Sequence, residues 1–187
     1  MKSLALKISM AVLSMIPLVA KAELIVLASP QSNDAYYAKM IDDIFDFHVD
    51  YAKKIIKNGD NVVVLTDKGL YPDYVKALGK KHVAIAPMHD IWMRDFTSAN
   101  PAQPVMFRYT AAGQGGAKKG QAISDEVQDE FKYYSQKAGL QFTQSKLLND
   151  GGNWVEDGYG NVVLSTKFLA DNKLTESEAR KKLMALT

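Results

Sequence analysis

His89-Asp90-Ile91-Trp92-Met93-Arg94-Asp95 is the stretch from which the fold and the chemistry of this chain are read. It follows His82 to Ala86, an apolar run that reads as a strand closed by Pro87. The stretch therefore sits at the carboxyl end of a strand, where open α/β folds place their ligands. Trp92 offers a flat π face, Asp90 and Asp95 offer carboxylates, and Arg94 is placed to pair with one of them. An aromatic face beside a carboxylate suits a flat cation, because a guanidinium stacks on the ring and donates two parallel hydrogen bonds to the acid. The plainer alternative is an ordinary surface pair between Arg94 and Asp95, with Trp92 in the core.

Outward from this stretch, strand and helix signals alternate. Glu23 to Ala28 is a short apolar run ended by Ser29-Pro30, the pattern of a buried strand. Residues 34–57 carry an apolar stripe at helical spacing through Met40, Ile44, Ala52 and Ile55, stopped by Asn58-Gly59. Val62 to Leu65 reads as a strand and Tyr71 to Leu78 as a short helix. Beyond the central stretch, Pro104 to Tyr109 reads as a strand running into a Gly-rich loop at Gly113, Gly115 and Gly116. Ser124 is placed to cap a helix that continues to about Ala138, with Asp125 and Glu126 near its positive end and Gly139 as its stop. Phe142 to Leu147 and Val162 to Ser165 read as strands, and Thr175-x-x-Glu178 is a capping box opening a last helix. No linker divides the chain, so the expectation is one α/β unit.

A second stretch, Asn149 to Gly160, is dense in glycine. The Asp157-Gly158-Tyr159-Gly160 half is explained by a hairpin turn, which Asp-Gly favours. The Gly151-Gly152-Asn153 half is less easily explained by a turn alone and points to unusual backbone angles or close approach of a ligand.

Composition narrows the function. The 187 residues are 47% apolar and 24% charged and contain no cysteine, so disulfides, thiolate metal sites and a cysteine nucleophile are absent from this sequence. A formal charge of +2 does not favour nucleic acid. Residues 1–22 read as a secretory signal peptide: Lys2 and Lys7, then an apolar run from Ile8 to Ala20, then Ala20-Lys21-Ala22 as a small-x-small cleavage pattern. The run is shorter than the roughly 20 residues a membrane span needs. Cleavage removes three of 23 basic residues and no acid from the 21, leaving the 23–187 chain near neutral at −1. The expected destination is periplasmic or secreted, with no membrane attachment after cleavage.

The pairing of Trp92-x-Arg94-Asp95 with Gly151-Gly152-Asn153 and Asp157-Gly158-x-Gly160 resembles the agmatine deiminase and bacterial peptidylarginine deiminase family of the pentein superfamily. The resemblance covers most of the chain after residue 22 and implies a five-bladed α/β propeller, of which this sequence would hold about half. It implies a deiminase reaction on a guanidino group: a cysteine thiolate attacks the guanidinium carbon, ammonia leaves, and water releases a ureido product, with no cofactor. It places Asp95 as one of two guanidinium-holding carboxylates and Trp92 as an aromatic near the substrate, with Asp90 and Asn153 as further candidate substrate-binding residues. The second aspartate belongs to a His-x-Asp that would begin after Thr187, and the nucleophilic cysteine is missing. His48-Val49-Asp50 has the right spelling but lies too early and on a helix, where residues two apart do not share a face. His82 reads as structural. His89 lies closer to the site, but nothing in the sequence assigns it a role. Arg108 reads as the partner of a nearby acid.

The expected ligand is a small guanidino compound (agmatine or arginine) or an arginine-containing peptide. Putrescine biosynthesis is implied on the agmatine side of the resemblance, while a leader favours peptide arginine or a scavenged guanidine. The expected partner is a missing C-terminal half or a second chain. The other readings are a catalytically inactive secreted guanidinium-binding protein and one half of a two-chain assembly.

Overall fold

The computed structural model describes residues 23–98, 104–111, 118–157 and 159–186. The expected signal peptide, the Gly113–Gly116 loop and Gly158 lie outside them. β1 (Leu24–Ala28), β2 (Asn61–Thr66) and β3 (Val83–Ile85) form a parallel sheet in that order. Parallel neighbours need crossovers, and α1 (Ile41–Lys57) and α2 (Tyr71–Leu78) supply them. α1 carries Asp42 and Asp43 in its first turn and Lys54 and Lys57 in its last, which suits its dipole. Of the expected apolar stripe, Ala52 and Ile55 are buried and are joined by His48, whereas Met40 is exposed. Gly59 follows at φ 96°, a turn conformation that favours glycine.

The first helix starts later than its stripe. Asp34 Oδ1 accepts from the Tyr36 N–H at 2.8 Å and the Tyr37 N–H at 3.4 Å, so residues 35–40 form turns instead. Short polar side chains compete with helix in this way.

β4 (Val105–Tyr109) and β5 (Thr143–Asn149) make a second parallel pair, crossed by α4 (Lys118–Lys137). β4 is buried on both faces. Met106 and Tyr109 pack with Ala28, Met88, Phe96 and Phe131, whereas Val105 and Phe107 pack with Trp154 and Phe168. Burying one such aromatic side chain stabilises by about 1.5–3 kcal/mol, so β4 is the strand on which the two cores are joined. Ser124 is not the cap of α4: the helix begins at Lys118, and Ser124 lies inside it. Its hydroxyl donates back to the Gly120 carbonyl at 3.1 Å and accepts from the Ala111 N–H at 3.1 Å.

The chain then makes a 3-10 turn at Gly151–Asn153 and an antiparallel hairpin of β6 (Trp154–Glu156) and β7 (Val162–Leu164). Asp157 Oδ1 accepts from the Tyr159 and Asn161 N–H groups and holds the hairpin closed. Between β7 and the last helix lies a helix not read from the sequence, α5 (Thr166–Asn172), capped by Ser165. Asn172 clasps the edge of β5: its amide accepts from the Leu148 N–H at 2.7 Å and donates to the Leu148 carbonyl at 2.8 Å. α6 (Glu176–Met184) opens with the reciprocal Thr175–Glu178 box that the sequence spells. The fold is mixed α/β.

Candidate functional site

The segment after β3 is pinned at both ends. Met88 is 1% exposed and Phe96 fully buried, and of the residues between them Met93 packs against the same core while Trp92 is exposed. Asp90 sets their path, because its Oδ1 accepts from the Ile91 N–H at 2.7 Å and from the Tyr37 hydroxyl at 3.0 Å. Met93–Phe96 then closes one helical turn, here α3, which the sequence reading did not foresee. Trp92, at the head of that turn, is 62% exposed, so the core alternative for its indole is wrong. Arg94 does not pair with Asp95. Its Nη2 donates to the Trp154 carbonyl at 2.8 Å, tying the first motif to the second.

That tie explains the two glycines. A Cβ on Gly151 would stand 1.7 Å from the Arg94 carbonyl oxygen, an overlap no side chain can make. A Cβ on Gly152 would meet Asp150 Oδ1 at 3.2 Å and Asp95 Oδ1 at 3.5 Å. Neither glycine has a positive φ. The requirement at Gly151 is close approach of two backbones, where the sequence reading expected unusual angles or approach of a ligand.

The electrostatics follow from this packing. Asp95 is half-buried, and burial, then the neighbouring charges of Asp150 and Asp90, push its carboxyl up to about 6 against the opposing pull of Arg94 and the Gly152 N–H. Burial pushes the Tyr109 phenol up, and Asp95, Asp150 and Asp90 add to it. Burial also raises Tyr37, with Asp90 as the next cause. Among the described residues none of Asp90, Asp95 and Asp150 forms an ion pair, and no group of His, Asp and Glu is arranged to hold a metal ion.

The structure thus brings Asp90, Trp92 and Asp95 to one place. Asn153 stands beside them, but its amide is engaged: Oδ1 accepts from the Ser165 N–H at 2.9 Å and Nδ2 donates to Asn149 Oδ1 at 3.2 Å. It braces the turn between β5 and α5. Asp150, Tyr109 and Tyr37 were not nominated from the sequence. Asp150 lay in plain view next to Gly151-Gly152, but its neighbours were not.

His89 faces α4, with Nε2 at 3.5 Å from Glu130 and 3.9 Å from Glu126. His48 is buried against the Tyr74 hydroxyl at 3.0 Å, deeper than the helix-surface or half-buried position expected from the sequence, and burial pushes it down to about 4. His82 bonds the Val62 carbonyl, a structural role. Arg108 makes a two-point pair with Asp125 at 2.8 and 2.6 Å. A cavity of about 420 Å³ lies apart from the carboxylates, between the β6–β7 hairpin and α5–α6, and is walled mainly by apolar side chains such as Trp154, Phe168 and Leu183.

Acids and an open indole thus stand together at the end of a parallel strand, in a mixed α/β fold that comparison with known proteins assigns to the guanidino-group deiminases. The chain belongs to the Porphyromonas-type peptidyl-arginine deiminase family, whose model matches residues 14–186. Its backbone is similar to that of the C. jejuni agmatine deiminase (TM-score 0.65, 18% identity, 88% of this chain and 50% of that one). It is similar to a protein assigned as a peptidyl-arginine deiminase (0.64, 19%, 88% and 51%) and to the Enterococcus faecalis agmatine deiminase (0.58, 14%, 87% and 47%). These likenesses show the fold, and the chain spans about half the length of those structures. No curated protein matches the sequence.

Proposed function

We propose that residues 23–187 form the guanidinium-holding part of a guanidino-group deiminase, corresponding to about half of a five-bladed propeller. One observation carries this reading: Asp95 is a half-buried carboxyl crowded by two other acids, without an ion-pair partner, at the foot of an exposed indole. A site that crowds like charges without a counter-ion is suited to receive one. In the proposed reaction Asp95, ionised, binds two guanidinium nitrogens side by side, and Trp92 covers the planar face. Asp90 adds negative charge and, through Tyr37 and its own backbone contacts, shapes the loop.

The thiolate that attacks the guanidinium carbon is not among these residues, because the sequence has no cysteine. Nor does His48-Val49-Asp50 supply the proton shuttle: His48 is buried against Tyr74, while Asp50 pairs with Lys54 at 2.6 Å on the surface. Both groups would come from a further segment or from a second chain. Exposed apolar side chains, among them Leu24 at 64%, Val163 at 69% and Met184 at 74%, support such a partner. The substrate would be agmatine, arginine or peptidyl-arginine. Secretion is proposed on the leader pattern, and the first strand opening at Leu24 is compatible with cleavage after Ala22. Amino-terminal sequencing of the exported protein should begin at Glu23.

The second reading, a guanidinium-binding protein without chemistry, is favoured by the missing cysteine. Ammonia release from agmatine, arginine and an arginine peptide separates the two, measured on the chain together with its natural partner or downstream segment. Turnover lost in Asp95→Asn supports the enzyme. Binding without turnover supports the second reading.

A further inference from the structure

We propose that α1 docks against the α1 of a second copy of this chain, the two helices lying antiparallel about a two-fold axis. The inference does not depend on the guanidinium reading. A second copy would not supply the missing thiolate, because it too has no cysteine.

Three observations converge. The first is an apolar seam on α1 besides the one that faces the core. Ala52 and Ile55 are spent on the core. Met40, Ile44, Phe47 and Tyr51 follow one another at steps of four, three and four, so they line one seam along the helix. That seam is open: Phe47 is 62% exposed, Met40 and Tyr51 are exposed, and Ile44 is part-buried. A surface helix ordinarily carries polar residues away from its core face. Alternating steps of four and three are the spacing on which a partner helix seats its side chains.

The second is the surface this seam presents. The rings of Phe47 and Tyr51 are stacked, with centroids 5.7 Å apart and planes within 20° of parallel. A stacked, uncovered pair makes a broad aromatic plate, and aromatic residues are enriched in protein interfaces.

The third is charge, and it selects the occupant. Asp42, Asp43, Asp46 and Asp50 stand in the first part of α1, and Lys53, Lys54 and Lys57 in the last, all of them exposed. A helix with this order complements a copy of itself when the copy is reversed, and the two helix dipoles then also oppose favourably. Asp43 and Lys54 lie at i−4 and i+7 from Phe47, on the same solvent-side flank of the seam. With the axis passing between His48 and Val49, Asp43 of each copy comes level with Lys54 of the other, and the symmetry makes the contact twice. Among the described residues Asp43 forms no ion pair, and Lys54 pairs with Asp50 of its own helix at 2.6 Å, an exposed contact that is easily exchanged. The same acids would repel an anionic lipid surface.

The test is sedimentation equilibrium at low salt on the full chain carrying Val163→Lys, which takes the exposed valine of the hairpin out of the readout. Asp43→Lys and Lys54→Glu are added singly, and the two single variants are then mixed in equal amounts. In the mixed pair each new lysine faces the other chain's new glutamate, and the untouched Asp43 faces the untouched Lys54. The parent is expected to dimerise, each single variant to weaken the dimer at least about tenfold, and the mixture to recover the parent's affinity within about threefold. Phe47→Ser should also lose the dimer. All of these side chains are exposed, so every variant should melt like the parent. A monomeric parent overturns the inference. Single variants that associate as the parent does, or a mixture that stays monomeric, overturn it as well. Unchanged association in Phe47→Ser does the same, and would place any self-association on another face.

Discussion

Asp95 and His48 pull the pH dependence of folding in opposite directions. The carboxyl of Asp95 stands near 6 in the folded chain against an ordinary 3.8, so from about pH 4 to 6 the folded state keeps a proton that the unfolded state has released. Its contribution therefore falls as pH rises through that window. His48 stands near 4 against an ordinary 6.5, so its contribution is lost as pH falls from 6.5 to 4. Urea melts of parent and Asp95→Asn across pH 4–6.5 separate the two: the parent's stability relative to the variant should decline with rising pH. A constant difference would remove the crowding argument. Gly151→Ala tests the close approach, because the added methyl must push back the Arg94 carbonyl. A loss at or above the upper end of ~1–3 kcal/mol is expected by thermal or urea melting, with the Trp92 fluorescence altered as α3 moves. At this scale the sequence shows the acids and the indole, since residue type and strand-end position are local facts. Asp150 comes beside Asp95 alongside the Arg94–Trp154 tie, a contact across sixty positions that no spacing rule reaches.

Gln128 joins three elements. Its Oε1 accepts from the Tyr109 N–H at 3.1 Å, and its Nε2 donates to the Phe96 carbonyl at 3.0 Å and the Phe107 carbonyl at 2.7 Å. It thereby fixes α3, and with it Asp95, to β4 and α4. Gln128→Leu fits the space but strands three backbone groups, and a loss of about 3 kcal/mol or more is expected in denaturant melts, with faster amide exchange at Tyr109. A change under ~1 kcal/mol would mean that water replaces the amide. Elements with local punctuation were legible. Asn58-Gly59 stops α1, and Thr175–Glu178 starts α6 where the sequence says. Ser124 misled because a serine ahead of an apolar run looks the same as a cap or as an interior residue bonding back one turn. α3 and α5 are four and seven residues long, too short for a periodic stripe to declare itself.

For the whole molecule, the order of strands and crossovers was legible as an α/β alternation, but the split into a three-stranded and two two-stranded sheets was not. It depends on β4 burying both faces, and consecutive apolar residues do not say which cores they join. The uncovered face of the first sheet, with Leu24 and Val26 exposed, and the exposed Val163 on the hairpin should make the isolated chain associate. Sedimentation velocity is expected to show mass increasing with concentration, reduced by Val163→Lys. A monodisperse monomer at high concentration would argue against the proposed partner surface. The central claim is that Asp95 is held ready for a planar cation, and carboxyl carbon shifts of Asp95 across pH, with and without saturating methylguanidine, test it most directly. The account predicts a midpoint near 6 in the free chain that moves downward when the cation binds. An ordinary midpoint near 3.8, unmoved by the cation, would contradict it.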